Sequence, residues 1–314
     1  MRVLITGGAG FIGSNLARTL IDDPAFTAVT VLDDFSTGSR NNVSGLEVEV
    51  VEGSILDSDV LYAVSSRVDA IVHLGAIPSV PRSIAHPRAT HDANATGTLN
   101  VLEAARAAGV SQVIVASSSS VYGANPVLPK GPFDWTRPLS PYAVSKLATE
   151  SYAIAYHHSY GLRTLAFRFF NVYGPNQAAG HAYAAVIPKF LESVFEGRPI
   201  SVHGDGLQSR DFTYVGTVTQ VIAAALAGGV MSEHPVNLAY GANTTILEMI
   251  GVLENILQRE LPREHVEGRL GDVRASQADP AYLLELFPTV APVPLREGLE
   301  RTVAWFADGK STAV

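Results

Sequence analysis

The chain has 314 residues and a mass of 33.3 kDa, enough for one large domain or two small ones with a sizeable core. Lys and Arg number 22 against 30 Asp and Glu, a formal charge of −8 with pI near 5.6, which argues against a nucleic-acid partner, since that needs a basic face. Cysteine is absent, which excludes disulfides, thiolate metal sites and cysteine nucleophiles, and no uncharged apolar run reaches the roughly 18 residues of a membrane span.

The chain opens directly on a strand-like run without signal-peptide features, so a soluble cytoplasmic protein with no membrane partner is expected. Six short runs read as buried strands: Arg2–Thr6, Ala28–Leu32, Val48–Val51, Ala70–Leu74, Val113–Ala116 and Thr164–Phe167. They are rich in Val, Ile and Leu without clean alternation, as parallel strands covered on both faces are. Helical stretches lie between them. One carries Ile12, Leu16 and Leu20 at i, i+4 and i+8; another spans Thr98–Ala108 ahead of Gly109; a third runs from Pro141 to Tyr160, with Gly161 behind it. The alternation predicts an α/β fold, a doubly wound parallel sheet with helices on both faces.

After Asn171 glycine and proline become denser. Helices are expected over 184–195, Val215–Ala227, Ile246–Leu257 and Leu295–Ala307. This region reads as a smaller C-terminal α/β substrate lobe over 172–314. It follows a cofactor domain over 1–171, with a soft boundary and interleaved segments.

The first strand runs into Gly7, Gly10 and Gly13, a GxxGxxG turn opening a helix. Such glycines permit a tight turn and let backbone N–H groups and a helix N-terminus approach a pyrophosphate. Asp33 stands 20 residues after Gly13 at the end of the second strand. A carboxylate there accepts ribose hydroxyls and repels a 2′-phosphate, which favours NAD over NADP. An ordinary glycine turn followed by a strand-end Asp is the bland alternative, and Asp34 beside it reads as a solvated neighbour.

Tyr142 and Lys146 open the third helix four residues apart, hence on one face. A phenol near pKa 10 is a poor base at pH 7. An ammonium one turn away, together with a positive nicotinamide ring, is expected to lower it, making Tyr142 a general base. Lys146 is also placed to hold the nicotinamide ribose. The fifth strand ends in Ser117–Ser120, where a hydroxyl can bridge substrate and phenol. A Tyr–Lys pair alone is common on helix surfaces; its meaning comes from the serine strand end and the dinucleotide turn.

At these residues the chain resembles the extended short-chain dehydrogenase/reductase family, whose cofactor domain is Rossmann-type. Within it the likeness is to NAD-dependent UDP-sugar 4-epimerases of the UDP-glucose/UDP-N-acetylglucosamine type. The likeness runs through TGGAGFIGSNL, LDDFSTG, HLGAIPSVPRSI, NATGTLNVLEAAR, SSSSVYG, SPYAVSKLATE, FRFFNVYGPNQ, AYAAVIPKF, HGDGLQSRDFTYV and RLGDVRASQAD, in that order.

The resemblance implies Tyr142, Lys146 and Ser118 as catalytic residues. It implies cofactor contacts from Gly7, Gly10, Phe11, Ile12, Gly13, Asp33, Asp34, Ser36, Thr37, Gly38, Ser54, Ile55, Leu74, Gly75, Ala76, Asn94 and Phe170. It places Asn171, Arg210 and Arg269 on the substrate diphosphate and Asp272 on the uridine ribose. Ser79, Val186, Ser201, Val202, His203 and Gln208 would lie along the UDP-sugar, and Ser276 where bulk excludes N-acetylated sugars. It also implies a homodimer built on Thr98–Ala108 and Tyr142–Tyr160. Three positions depart from the usual pattern: Ser54 replaces an adenine-contacting Asp, Pro78 a Lys, and Leu270 the Pro of RPGD.

The expected reaction is reversible C4 epimerisation of a UDP-hexose through a 4-keto sugar. Three alternatives stay open: another UDP-sugar 4-epimerase acting on a uronate or pentose, a nucleotide-sugar 4,6-dehydratase, and a non-catalytic NAD-binding protein. The dehydratase lacks its acid–base pair, because Ser119 and Ser120 follow Ser118. The segment 177–181 carries no Arg for a uronate carboxylate, and His181 within it reads as a loop residue.

Overall fold

The apolar runs assemble into one parallel sheet: β1 (Arg2–Thr6), β2 (Ala28–Asp33), β3 (Glu49–Glu52), β4 (Ala70–His73), β5 (Gln112–Ser118) and β6 (Thr164–Phe169). The structure, a computed structural model, describes residues 1–179, 185–268 and 273–311. Later in the chain come β7 (Asn171–Tyr173), β8 (Ile200–His203), β9 (Ser209–Arg210), β10 (Phe212–Tyr214) and β11 (Val236–Leu238). β11 pairs in parallel with β6, so the strand order is β11-β6-β5-β4-β1-β2-β3. The order reverses between β1 and β4, and ligands of doubly wound sheets bind in the crevice at that switch point. The six expected strands are present; β11 is additional and comes from the later part of the chain.

Helices α1 (Phe11–Ile21), α2 (Arg40–Val43), α3 (Ser58–Ser65), α4 (Val80–Ala85), α5 (Pro87–His91), α6 (Gly97–Ala108) and α7 (Pro141–Tyr160) lie between the strands. Strand alternation sends side chains to two cores. Val3, Ile5, Val29 and Val31 pack with Leu16 and Leu20 of α1. Leu4, Leu32, Ile71 and Val113 pack with Leu61 of α3, Leu102 of α6 and Ala153 of α7. Helix α7 has the bounds its sequence predicts. The Ser140 side chain accepts from Ala143 N at 3.1 Å, Pro141 opens the first turn, and Gly161 closes the helix at φ 68°. A cap of this kind is worth about 1 kcal/mol.

The remaining elements are α8 (Val186–Phe195), α9 (Val215–Ala227), α10 (Ile246–Leu257), α11 (Ala281–Leu286), α12 (Leu295–Ser311), β12 (Thr244–Thr245), β13 (Arg263–Val266) and β14 (Ala275–Ser276). Small pairings β10–β7, β13–β8 and β12–β9–β14 form a smaller lobe around Ile187, Leu191, Ile200, Met249, Leu253 and Leu299. Helix α9 instead packs its Val218 and Ile222 into the α1 side of the main sheet. Among the described residues, no helix is long and apolar enough to cross a membrane.

Candidate active site

The carboxyl ends of the strands and the smaller lobe enclose a cleft of about 2050 Å³. That exceeds the roughly 300–1,000 Å³ of a single-ligand pocket and suits two extended ligands end to end.

The glycine turn forms one wall. Gly7 adopts φ +69°, and a Cβ there would sit 2.6 Å from Gly75 N. A Cβ on Gly13 would sit 2.3 Å from the Gly7 carbonyl. Only glycine lets β1, α1 and the loop after β4 meet this closely. Gly10 caps α1 without a side-chain acceptor, and Gly10, Phe11, Ile12 and Gly13 all line the cleft, so first-turn N–H groups remain for a phosphate.

Asp33, Asp34, Ser36, Thr37, Ser54, Ile55, Leu74, Gly75 and Ala76 continue this wall. Asp33 accepts from Ala9 N at 2.9 Å and Phe35 N at 2.8 Å, leaving lone pairs for a ribose. Burial pushes its carboxyl up, against the lowering effect of those two bonds. Arg40 lies 4.0 Å over the Phe35 ring and pairs with Glu52, which draws it off the ribose. These residues fit NAD: the cradle excludes any side chain, and among the described residues no cation pairs with Asp33, where a 2′-phosphate would need one.

Ser118, Tyr142 and Lys146 line the same cleft, brought together by β5 and the first turns of α7. The Ser118 hydroxyl accepts from Ser120 N at 3.2 Å and is hydrogen-bonded to the Tyr142 phenol. Lys146 Nζ donates to the Ala116 carbonyl at 2.8 Å. The expectation that Lys146 lowers the Tyr142 phenol is corrected here. Burial dominates and pushes the phenol up, and only the Ser118 bond pulls it down. Burial also brings Lys146 down to about 8, which leaves most of it charged at pH 7. The positive charge of a bound nicotinamide therefore carries most of the lowering that the phenol needs.

Behind this wall lies a buried polar chain. Asn94 sits in a single π-turn over Asp92–Thr96, a feature frequent at functional sites. Its amide accepts from Ile77 N at 2.7 Å and donates to Ile77 O at 3.1 Å and Ser145 Oγ at 2.9 Å. Asn94 therefore ties the loop after β4 to α7. His73 bridges Thr6 Oγ1 at 2.7 Å and Thr98 Oγ1 at 3.1 Å. Thr98 donates onward to Asn94 O at 2.5 Å, which assigns the proton of His73 to Nε2.

Ser79, Phe170, Asn171, Val186, Ser201, His203, Gln208 and Arg210 also line the cleft. Arg210 Nη1 donates to Ser209 O and Val273 O, each at 2.8 Å. Gln208 Nε2 donates to His203 O at 2.8 Å. Three residues besides Asn94 stand off the wall. Gly38 lies behind Ala9 and Asp33; Val202 points into the lobe core because strand alternation turns only Ser201 and His203 outward; Ser276 sits beside Arg210 on β14. Arg269, Asp272, Leu270 and His181 lie outside the described residues.

The cleft also takes Phe212, Val266, Gln177, Lys189 and Arg82, which sequence reasoning missed. Phe212 follows Arg210 by two residues, the period that puts both on one face of an extended segment, and that signal was readable. Gln177 donates to Val172 O at 3.1 Å, while its buried Oε1 has no hydrogen-bond partner among the described residues, an acceptor suited to a sugar hydroxyl.

A model of the NAD dependent epimerase/dehydratase family matches residues 3–239. The chain belongs to that family. It is an enzyme of the NAD-dependent epimerase/dehydratases, NAD is its cofactor, and the likeness drawn from its motifs holds. It is similar to a UDP-glucose 4-epimerase of Mycolicibacterium smegmatis, 36% identical over 98% of both chains. It is similar to a UDP-glucuronate 4-epimerase of Thermodesulfobacterium geofontis, 32% identical over 96% of this chain and 95% of the other. The solved UDP-N-acetylglucosamine 4-epimerase of Methanobrevibacter ruminantium, in complex with UDP-N-acetylmuramic acid, superposes with a TM-score of 0.92 at 34% identity, covering 98% of each chain.

Proposed function

We propose that this epimerase/dehydratase inverts C4 of a UDP-hexose reversibly, interconverting UDP-glucose and UDP-galactose and accepting their N-acetylated pair. The observation that carries the reading is the bond between Ser118 and Tyr142, with Lys146 beside them, in a cleft shared by the glycine turn and Arg210. Tyr142 takes the proton of the 4-hydroxyl, aided by Ser118, and later returns it. NAD, held by the glycine turn, Asp33 and Lys146, would supply reversible hydride transfer at C4. Arg210, with Arg269, holds the diphosphate as bidentate guanidinium donors can, while the hexose stays free to turn. Asn171 and Gln208 support the nucleotide, and Ser276, set back from the cleft beside Arg210, is small, so that only bulk put in its place would reach toward an N-acetyl group. Gly7, Gly10, Gly13, Asp33, Ser54 and Lys146 hold the dinucleotide.

A 4,6-dehydratase would need an acid–base pair to expel the 6-hydroxyl, and Ser119 and Ser120 stand where that pair belongs. A uronate reading has one observation in its favour: Arg82 lines the cleft beside Ser79. The test is an equilibrium assay with UDP-glucose, UDP-galactose, their N-acetyl analogues and UDP-glucuronate, with each product identified. Conversion of UDP-glucuronate alone would move the assignment to the uronate, and a 4-keto-6-deoxy product would move it to the dehydratase.

We also propose a cytoplasmic homodimer formed through α6 and α7, where Val144 and Tyr160 are exposed. A monomeric elution volume at micromolar concentration would count against the dimer.

A further inference from the structure

Glu150 follows Lys146 by one turn of α7, the spacing at which a carboxylate and an ammonium commonly pair on a helix. Here they do not. Lys146 goes to the Ala116 carbonyl at 2.8 Å. Glu150 takes Arg168 of β6 in a fork, Nη2 to Oε1 at 2.7 Å and Nε to Oε2 at 3.0 Å, and accepts the Ser117 hydroxyl at 2.7 Å. Both side chains are buried, 3% and 4% exposed. Arg168 is itself fixed: Nη1 donates to Pro132 O at 3.2 Å, and the guanidinium lies 4.7 Å over the Tyr122 ring. Ser117, the link to β5, stands between Ala116, which receives Lys146, and Ser118, which touches the phenol.

We propose that Arg168 is a positioning residue for the reaction: by holding Glu150 against β6, it keeps that carboxylate off the Lys146 ammonium. The ammonium of Lys146 is then left for the cofactor ribose, and no negative charge among the described residues stands beside Tyr142. A buried carboxylate stripped of its cation turns to the next one within reach, and here that is one helical turn away. Its approach would bring a negative charge toward Tyr142 and set it against the phenolate form.

Other charged groups on elements packed against α7 stand elsewhere among the described residues. His73 of β4 is held neutral by burial. Arg88 and His91 of α5 are exposed. Glu103 and Arg106 of α6 pair with each other beside Tyr156. Arg82 and Asp92 line the cleft.

The proposal rests on the reading of Tyr142 as the base, and its test is the pH dependence of kcat in variants checked for circular dichroism and bound NAD. Arg168→Gln leaves Glu150 charged and stray; kcat at pH 7 should fall roughly tenfold and the acid limb should rise by about one pH unit. Glu150→Gln with Arg168→Gln removes the stray charge and should bring the limb back toward the wild-type position. Glu150→Gln alone leaves a surplus cation, so the limb should move down. An unmoved limb in Arg168→Gln, an upward move in Glu150→Gln, or a double variant no better than Arg168→Gln overturns the proposal and leaves the pair a structural tie. Should Arg168→Gln not fold, the sign of the Glu150→Gln shift decides alone. Tyr142→Phe separates the two ideas: surviving turnover refutes the base, whereas lost turnover with no limb shift in Arg168→Gln refutes only the role given to Arg168.

Discussion

Ser276 runs in parallel register beside Arg210, each in a two-residue strand. The residue proposed to gate the sugar is thus tied through the main chain to the guanidinium proposed to hold the diphosphate. Bulk introduced at one is delivered at a set distance from the other. Ser276→Tyr is expected to suppress turnover of UDP-N-acetylhexosamines while sparing UDP-galactose, changing the ratio of kcat/KM values roughly 10- to 100-fold. Equal loss on both substrates would contradict the gate.

Tyr142→Phe removes the proton carrier while keeping the ring in its half-buried place. Turnover should fall by roughly 10²- to 10⁴-fold, with NAD content and circular dichroism unchanged. Interconversion at the wild-type rate would sink the proposed reaction.

Gly13→Ala puts a methyl 2.3 Å from the Gly7 carbonyl and 2.6 Å from Gly8 Cα, both backbone atoms that cannot swing aside. The turn must open, so the purified variant should carry little bound NAD, measured by extraction and chromatography. Full occupancy would mean that the cofactor does not depend on this turn.

How much of this was readable beforehand differs from element to element. Helix α7 was legible to its end residues because Ser140, Pro141 and Gly161 act locally through caps and fixed backbone angles. The place of Asp33 on the cleft wall at the end of β2 was legible because its distance from the glycine turn is set by one helix and one strand. β11 was not: Val236–Leu238 is three residues long, and its pairing with Phe167–Phe169 is set by packing across nearly seventy residues of chain. The engagement of Asn94 with Ile77 and Ser145, and of Glu150 with Arg168, likewise depends on side chains that meet only after folding. The expected lowering of the Tyr142 phenol by Lys146 lost to burial, a quantity that sequence spacing does not report.

His73 gives a stability prediction with a definite sign. Burial first, and Lys146 second, hold it at about 3, below the ordinary 6.5. The folded protein refuses a proton that the unfolded chain accepts, so the stability due to this group is complete above pH 6.5 and is lost as pH falls from there toward 3. Its slope reaches at most about 1.4 kcal/mol per pH unit. Urea midpoints at several pH values between neutrality and acid should fall more steeply in the wild type than in His73→Gln. Parallel slopes would show that His73 takes up its proton without unfolding.

The seventh strand has a consequence for how such a chain can change. Because Val236–Leu238 closes the sheet on Phe167–Phe169, and Asn237 anchors the Tyr122 hydroxyl at 2.6 Å, cutting the polypeptide after residue 171 would bare a sheet edge and loosen the segment next to Ser118. The part of the chain after residue 171 is therefore no exchangeable cassette. New specificities must be grafted loop by loop onto an indivisible whole.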